Sequence, residues 1–385
     1  MTRSNRYSVI IAGGGVAALE AMVALRHIAE EHVDLTLLAP DKQFTYRPLA
    51  VAKPFGLGSV ARFPLEELAT GCGAHFEQGS LMLASPEAHS LYTSRGRSVE
   101  YDALLVACGA QIRDSIPGAI TFGDPRDSRA IEMLFEDVAW GLVRRIVLAA
   151  PTGVGWTLPL YELALLIVDR LAHEGLTADV ALITPEEDPL VVFGSEASEA
   201  VRSLLVERGI ELRTETHAVS FEGRALEIVG GAPVEADWVL TLPRLVGRPI
   251  DGLPQVQDGF IPTDEFGRVS GVPDVYAAGD GTNFPLKQGG IAAQQADAAA
   301  ETIAAAAGAS LTPTPFEPVL RGLLLTGRRP AFLRTELAGG HGPTSVASPE
   351  PLWWPAGKIA ARYLGPYLAE HTVAGSHYQP SRLLV

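Results

Sequence analysis

The chain has 385 residues, more than one hydrophobic core usually holds, so two or three domains are expected. Apolar residues make up 47% and charged residues 19%, which is typical of a compact α/β protein and argues against disorder. The formal charge of -15 argues against a nucleic-acid partner. Two cysteines and no secretory pattern predict a cytoplasmic protein, and no apolar run reaches the ~18 residues of a spanning helix.

The first elements along the chain are a strand, a glycine turn, a helix and a second strand. The strand runs from Tyr7 to Ala12, the helix ends at about Glu31, and VDLTLLAPD continues as the second strand. Such a βαβ unit predicts a parallel, doubly wound sheet.

The turn of this unit carries Gly13, Gly15 and Ala18 in the spacing G-x-G-x-x-A. The first glycine permits the tight turn, the second lets the backbone approach a pyrophosphate, and the small third residue lets helix and strand pack. The helix N-terminus then faces the phosphates with unpaired N–H groups and the positive end of its dipole. The turn therefore predicts an adenine dinucleotide. The acid that normally ends the second strand is absent, and Asp41, two positions late, is the candidate contact for the ribose.

A second unit of the same kind begins near Arg144 and continues into the strand ADVALITPEED. Its turn holds a bulky Trp156 and places Pro159 where the third small residue belongs, so a second dinucleotide would be hindered there. Two interpretations follow. Either this domain binds NAD(P)H, or it keeps the fold and has lost tight nicotinamide binding, which leaves NAD(P)H a doubtful second cofactor.

A late strand, in DVYAAGDGTNFPLKQGG, ends in Gly279-Asp280 and feeds an alanine-rich helix. A strand that ends this way can hold a phosphate-bearing cofactor whose other half is bound by the N-terminal unit. Because this strand follows the second unit, the second domain is predicted to be inserted in the first, with EYDALLVACGA and EADWVLTLPRLVGRPIDGLP as the two crossings. The expected boundaries are 1–122 and 250–330 for the first domain, 123–249 for the inserted domain and 331–385 for a small C-terminal domain.

Four segments together, IIAGGGVAALEA, FTYRPLAVA, LLVACGA and DVYAAGD, resemble flavoproteins of the pyridine nucleotide-disulfide oxidoreductase superfamily. The resemblance covers roughly residues 7 to 330. It lies in the branch that holds sulfide:quinone oxidoreductases, flavocytochrome c sulfide dehydrogenase flavin subunits and type II NADH dehydrogenases. It implies two Rossmann-like domains, non-covalent FAD, and electron transfer from a small donor to a quinone-like acceptor.

The resemblance also implies roles for the residues around the late strand. Gly279 and Asp280 close the FAD site, with the Asp280 carboxylate on the ribityl chain. PLKQGG is similar to the segment beside the isoalloxazine, which includes Gln288. Lys287 would set its ammonium near N1 and C2=O of the ring, where it stabilises the negative charge of reduced flavin. The alternative for Lys287 is an ordinary solvated lysine.

Further cofactor-binding positions come from the other matching segments. Arg47 and Pro48, in FTYRPL, align with residues that border the flavin, and Tyr46 beside them can be a core residue. Gly109 lies in the turn of LLVACGA, where the family has an Ala-Thr-Gly turn.

The sulfide-oxidising members work through a cysteine pair near the flavin, and this chain departs from that pattern. No cysteine follows Cys108, and the segment before Tyr161 has none. A disulfide needs Cα atoms about 4.4–6.8 Å apart. With Cys108 in a buried strand-end turn and Cys72 in a surface-looking loop, no pair is expected. We predict an FAD-dependent oxidoreductase without redox thiols; the alternatives are a sulfide:quinone oxidoreductase-like enzyme and a flavin-binding redox regulator or scaffold with little turnover.

The tail LWWPAGKIAARYLGPYL places aromatic and basic residues at helix-like spacing. A helix of this composition can lie in the headgroup region, which would attach the protein to the inner face of the membrane. Alternatively it packs on the FAD domain, covers the flavin or forms a homodimer contact. Pro355 and Gly365 favour the packed alternative.

Nine histidines show no ligand spacing, so no metal site is predicted.

Overall fold

The computed structural model describes residues 6–123, 127–337 and 345–370. Up to Gly123 the elements are β1 (Tyr7–Ala12), α1 (Val16–Ala29), β2 (Val33–Ala39), β3 (Gln43–Thr45), β4 (Arg62–Pro64), α2 (Leu65–Gly71), β5 (His75–Gln78), β6 (Leu81–Ser85), β7 (Ser90–Thr93), β8 (Ser98–Glu100), β9 (Ala103–Val106), β10 (Gln111–Arg113) and β11 (Ile120–Thr121).

The second described range contains α3 (Asp127–Ala139), β12 (Arg145–Ala149), α4 (Leu158–Glu174), β13 (Asp179–Ile183), α5 (Ser195–Glu207), β14 (Glu211–Arg213), β15 (Ala218–Glu222), β16 (Ala225–Ile228), β17 (Val234–Glu235), β18 (Trp238–Thr241), β19 (Arg244–Val246), β20 (Val275–Ala277), α6 (Gly289–Ala306), β21 (Val319–Leu324) and β22 (Ala331–Glu336). The third contains β23 (Val346–Ser348) and α7 (Leu364–Glu370).

The first large sheet has the strand order β20-β9-β1-β2-β5, and every neighbouring pair is parallel. Val9 and Ile11 of β1 belong to the core shared with α1 and α6, whereas Ile10 and Ala12 face the opposite side. Alanines line both helices, which lets them pack against each other. Since β20 pairs with β9 although the second sheet lies between them in sequence, the second unit is inserted in the first, as predicted.

The second large sheet has the order β11-β18-β12-β13-β14 and is also parallel. Helix α4 packs against it, starting with a proline in its first turn and ending at Gly175, whose φ of +67° suits glycine. The two crossings between the domains pair as antiparallel strands β10 and β19. The predicted two-domain α/β fold is therefore confirmed.

The C-terminal sheet is antiparallel and has the order β21-β22-β23. A Cβ at Gly322 would lie 2.6 Å from the Phe193 ring, so this sheet lies directly on the inserted domain. Because β21 begins at Val319, the boundary expected at residue 330 falls inside the hairpin of this sheet. The expected C-terminal domain after Glu370 lies outside the described residues.

Residues 352–363, here called the strap, do not form the helix predicted for the tail. Helix α7 begins only at Leu364. Pro355 lacks a backbone N–H and restricts the residue before it, which opposes a helix there. The strap instead packs between the two Rossmann-like domains, with Ile359 and Ala356 buried. Within the described ranges, no helix combines the length and apolar character needed to cross a bilayer.

A pair of carboxyl groups, the buried Glu20 on α1 and the partly buried Asp297 on α6, joins these two helices to the end of the strap. Glu20 is fully buried and accepts hydrogen bonds from the backbone N–H groups of Tyr363 at 2.9 Å and Leu364 at 2.5 Å. Burial, together with the charge of Glu20, raises the pKa of Asp297 to about 8. The two carboxyl groups therefore share a proton near neutral pH, since both cannot ionise at close range.

Part of the pH dependence of stability is expected to come from this pair. The folded chain holds a proton on Asp297 up to a pKa of about 8, whereas an unfolded aspartate releases it near 3.9. Asp297 then contributes stability at low pH that is lost as the pH rises towards about 8. Asp297→Asn, which cannot ionise, is expected to flatten this part of the profile in urea unfolding between about pH 5 and about pH 9. Glu87→Gln, at an exposed site, is the control; equal slopes in both variants would contradict the shared proton.

Candidate flavin site

The carboxyl ends of β1, β9 and β20 bring three of the predicted turns together. These strands are parallel neighbours, so the turns that follow them lie at one edge of the sheet. A Cβ at Gly13, where φ is +144°, would lie 2.1 Å from the carbonyl oxygen of Ala107. A Cβ at Gly281 would lie 3.1 Å from that of Gly109. Only glycine at position 13 permits this approach of the first and second turns.

Open space lies in front of the first turn. Gly15 is the residue that precedes α1, and a Cβ added there would meet no protein atom within 4 Å; the same holds at Gly109. Ala18 is fully buried against the sheet. The N–H groups of the first helical turn face this space without intrahelical partners. The cradle therefore fits a pyrophosphate, with the helix dipole adding favourable charge.

Asp280 lies beside this cradle, since a Cβ at the preceding Gly279 would lie 3.0 Å from Ala17 of α1. Among the described residues, none donates a hydrogen bond to its carboxylate. Burial raises the pKa of Asp280, and the ammonium of Lys287 opposes that shift. A partly buried carboxylate without donors fits a ligand that carries several hydroxyl groups, such as a ribityl chain.

Lys287 is held by the protein rather than by solvent. Its Nζ donates to the carbonyl oxygen of Thr282 at 2.5 Å and lies 3.9 Å from the centre of the Phe260 ring. Burial lowers its pKa to about 8, and Asp280 opposes that shift. Lys287 is therefore partly buried and in contact with the protein.

One glutamine caps α6 and a second, on the helix, holds the late turn; sequence reasoning recognised only the first. Gln288, expected beside the flavin ring, caps α6: its Oε1 accepts from Ile291 N at 2.8 Å. Gln295, which was missed, accepts from Gly279 N at 2.8 Å and donates to Thr282 Oγ1 at 3.2 Å. Its position seven residues after Gln288, on the same side of the helix, is the signal that could have found it.

The predicted residues Asp41, Arg47 and Pro48 follow β2 in the chain. Asp41 and Arg47 are exposed, and Pro48 starts a short 3-10 turn from Arg47 to Leu49. Tyr46 is buried, and its hydroxyl accepts from the N–H of Ile359 in the strap at 3.2 Å. Tyr46 thus belongs to the core that holds the strap.

The strap contributes a buried ion pair that the sequence did not reveal. Lys358 pairs with Glu162 on α4, and Leu325 N donates to Glu162 Oε1 at 2.8 Å. Burial raises the pKa of Glu162 and lowers that of Lys358, while each partner opposes the other's shift. A Cβ at Gly289 would lie 2.8 Å from Ile359, so the strap covers the start of α6, two residues after Lys287.

The two thiols lie on opposite faces of the first sheet. Cys72 packs in the core on the α1 side, whereas Cys108 packs against the other face and donates to Ala12 O at 3.3 Å. Burial raises the pKa of each thiol to about 11. The expectation that Cys72 lies in a surface loop was wrong, because it ends α2 beneath α1 and is 5% exposed. This arrangement does not bring the two thiols together.

The second glycine turn is occupied by the protein itself. A Cβ at Gly155 would lie 2.3 Å from the carbonyl oxygen of Pro285. The backbone of Pro285 therefore packs against the glycine where a pyrophosphate would otherwise approach. The Trp156 ring lies against Phe193, with centroids 5.9 Å apart. Both contacts favour the interpretation that this domain keeps the fold without tight nicotinamide binding.

Glu186 places a carboxylate at the start of α4, where the phosphates of a dinucleotide would lie. It follows β13 and accepts hydrogen bonds from Thr157 Oγ1 at 3.0 Å, Tyr161 Oη at 2.7 Å and Thr184 Oγ1 at 2.8 Å. Burial raises its pKa, and these three donors oppose the shift. The carboxylate of Glu186 is thus engaged within the protein. Among the described residues, no cluster of three or more metal-ligating side chains occurs.

The profile of the family described as pyridine nucleotide-disulphide oxidoreductase matches residues 7–302. The chain belongs to this family and is an FAD-dependent oxidoreductase. An NADH dehydrogenase-like protein of Mycobacterium tuberculosis is 25% identical over 291 residues, which cover 71% of this chain and 72% of that protein. A monodehydroascorbate reductase of Pisum sativum is 29% identical over 318 residues, which cover 74% of this chain and 70% of that protein.

Among solved structures, the sulfide:quinone oxidoreductase of Aquifex aeolicus superposes with a TM-score of 0.80. The match covers 89% of this chain and 87% of that chain at 17% identity. At this identity the similarity shows the fold, in agreement with the two parallel Rossmann-like sheets described above.

Proposed function

We propose that the protein passes electrons from a small donor through FAD to a quinone-like acceptor, without a redox cysteine pair. The observation that carries this proposal is the site itself. One edge of the first sheet leads into the open cradle at Gly15, the carboxylate of Asp280 and the ammonium of Lys287. The two thiols, in contrast, lie on opposite faces of that sheet. Electron transfer then occurs directly at the flavin.

Each of these residues has a distinct task in the proposed reaction. The N-terminus of α1 binds the pyrophosphate against Gly15, and Asp280 accepts hydrogen bonds from ribityl hydroxyls. FAD, when bound, supplies the two-electron chemistry. Lys287, with a pKa of about 8, keeps most of its positive charge at neutral pH and stabilises negative charge beside it. The strap keeps water away from the start of α6 through the buried Ile359.

The donor is the less constrained half of the proposal. Gly155, Trp156 and Glu186 are engaged in contacts within the chain, which disfavours the usual pyrophosphate position for NAD(P)H in the inserted domain. Relatives named as NADH dehydrogenase-like proteins keep NAD(P)H a candidate. Sulfide as the donor and a low-turnover redox regulator are the competing functions.

Anaerobic stopped-flow of the purified flavoprotein separates these functions. The visible absorption band of oxidised flavin is followed after mixing with NADH, NADPH or sulfide, and the reduced protein is then mixed with a soluble quinone or with air. We expect one donor to reduce the flavin and the quinone to reoxidise it faster than air. Lys287→Met is expected to slow reduction by about tenfold or more, since it removes a charge that stabilises reduced flavin. Lys42→Met, at an exposed site, is expected to react like the wild type.

Two outcomes would overturn the proposal. Rapid reduction by sulfide with formation of a protein-bound sulfur adduct would show that the cysteines take part after all. A flavin that none of the donors reduces, or a reduced flavin that quinone reoxidises no faster than air, would favour the regulator.

A further inference from the structure

The C-terminal sheet carries two arginines directly opposite each other. Arg321 on β21 pairs in register with Arg334 on β22. Residues directly opposite in an antiparallel pair lie on the same face with Cβ atoms about 4.5–5.5 Å apart, where like charges are destabilising. The chain therefore holds two guanidinium groups side by side at a cost in stability.

A single carboxylate, that of Glu336, forms an ion pair with one of these two arginines. Arg334 donates to Oε1 of Glu336 at 2.7 Å. The Nε of Arg321 is buried, and no described residue accepts a hydrogen bond from it. Burial and then the charge of Arg334 lower the pKa of Arg321, although a guanidinium stays protonated in proteins. The three side chains thus have one unbalanced positive charge and one buried donor without an acceptor.

The position of Arg321 is fixed by α6. Gln294 closes the edge of β21, accepting from Val319 N at 2.9 Å and donating to Val319 O at 2.9 Å. Gln288, which caps α6 at the candidate flavin site, donates to the carbonyl oxygen of Arg321 at 3.2 Å. The arginine is therefore presented on a rigid strand rather than on a loop.

An aromatic pair lies on the same face of the sheet. Phe332 precedes Arg334 by two residues, so both side chains point to one side of β22. Its ring and that of Trp353 in the strap are 5.0 Å apart between centroids. Phe332 is fully buried, whereas Trp353 is partly exposed, so Trp353 supplies the accessible apolar surface on this side of the sheet.

We propose that Arg321 and Arg334 together bind a small oxyanion, the carboxylate or phosphate of a ligand whose apolar part lies against the partly exposed ring of Trp353. Guanidinium groups match these anions in a two-pronged geometry that an ammonium cannot provide. The oxyanion supplies the missing acceptor for Arg321 Nε and offsets the repulsion between the two arginines. Arg334 keeps its bond to Glu336 at the edge of the site.

Equilibrium dialysis of the FAD-loaded protein tests this site, with inorganic phosphate and benzoate as separate probes at constant ionic strength. We expect saturable binding of about one anion per chain for at least one probe. Arg321→Lys keeps the charge and most of the stem but loses the fork, so it is expected to weaken binding by about tenfold or more. Arg329→Lys, in the exposed pair with Glu350, is the matched control and is expected to bind like the wild type.

The two probes distinguish the two sources of the anion: tighter benzoate binding indicates a carboxylate ligand with an apolar body, and tighter phosphate binding a phosphate. The flavin-to-protein absorbance ratio of each variant reports whether the fold is kept. Absence of saturable binding of both probes, or equal affinity in Arg321→Lys and the wild type, would overturn the proposal.

Discussion

Lys358→Met is expected to lower the free energy of unfolding by about 3–5 kcal/mol. The side chains of Lys358 and Glu162 are only 7% and 1% exposed, so the variant leaves a carboxylate buried without its counter-charge. Removing one partner of a buried pair costs far more than the pair contributes, because the remaining charge has lost its hydration. Urea unfolding of the FAD-loaded protein, followed by circular dichroism, measures the change.

Two further variants identify the cause. Lys358→Met combined with Glu162→Gln removes both charges and keeps an acceptor for Leu325 N–H, so it is expected to recover part of the loss. Arg329→Gln breaks a pair whose side chains are 68% and 69% exposed, and is expected to cost about 1 kcal/mol or less. If Lys358→Met were no more destabilising than Arg329→Gln, the strap would not depend on this ion pair.

The parts of the fold that local patterns specify were predictable. An apolar strand followed by G-x-G-x-x-A contains, within twelve residues, the turn, the helix start and the packing position of α1. The order of the units along the chain was enough to predict the insertion, because β20 has the same strand-turn-helix pattern and follows the second unit. In such segments the residues that determine the structure are neighbours in sequence.

Long-range contacts explain what the sequence did not show. The strap is helical in composition, yet its shape is set by Glu162, 196 positions before Lys358, and by Glu20, 344 positions before Leu364. In the sequence, nothing distinguishes Glu162 or Glu20 from a glutamate on the surface of a helix. Cys72 was placed in a loop for the same reason, because the helix α1 that covers it is distant in the chain.

The candidate site likewise has one part that local sequence patterns predict and another part that depends on long-range contacts. Gly13, Gly15 and the Gly279-Asp280 turn follow from local pattern, and the structure brings their strands to one sheet edge. The capping bonds of Gln288 and the role of Gln295 depend on where α6 meets β21 and the late turn. Sequence reasoning could name Gln288 only as a neighbour of the flavin segment, and it did not name Gln295.

Gly15→Val is expected to weaken FAD binding while leaving the fold of the protein intact. A Cβ at Gly15 meets no protein atom within 4 Å and the residue has an ordinary φ of -97°, so a side chain there costs the folded chain little. The added atoms would instead fill the space against which we propose the pyrophosphate lies. We expect FAD affinity to fall by about tenfold or more, measured as quenching of flavin fluorescence on titration of the apoprotein.

Gly13→Ala is the informative comparison, because its Cβ would lie 2.1 Å from the Ala107 carbonyl oxygen and φ is +144°. That variant is expected to destabilise the apoprotein itself, since the strain lies between two protein strands. The two substitutions thus separate a glycine needed for the fold from one needed for the cofactor. A Gly15→Val protein that binds FAD as tightly as the wild type would show that the pyrophosphate does not lie against α1, and the assignment of Asp280 to the ribityl chain would lose its support.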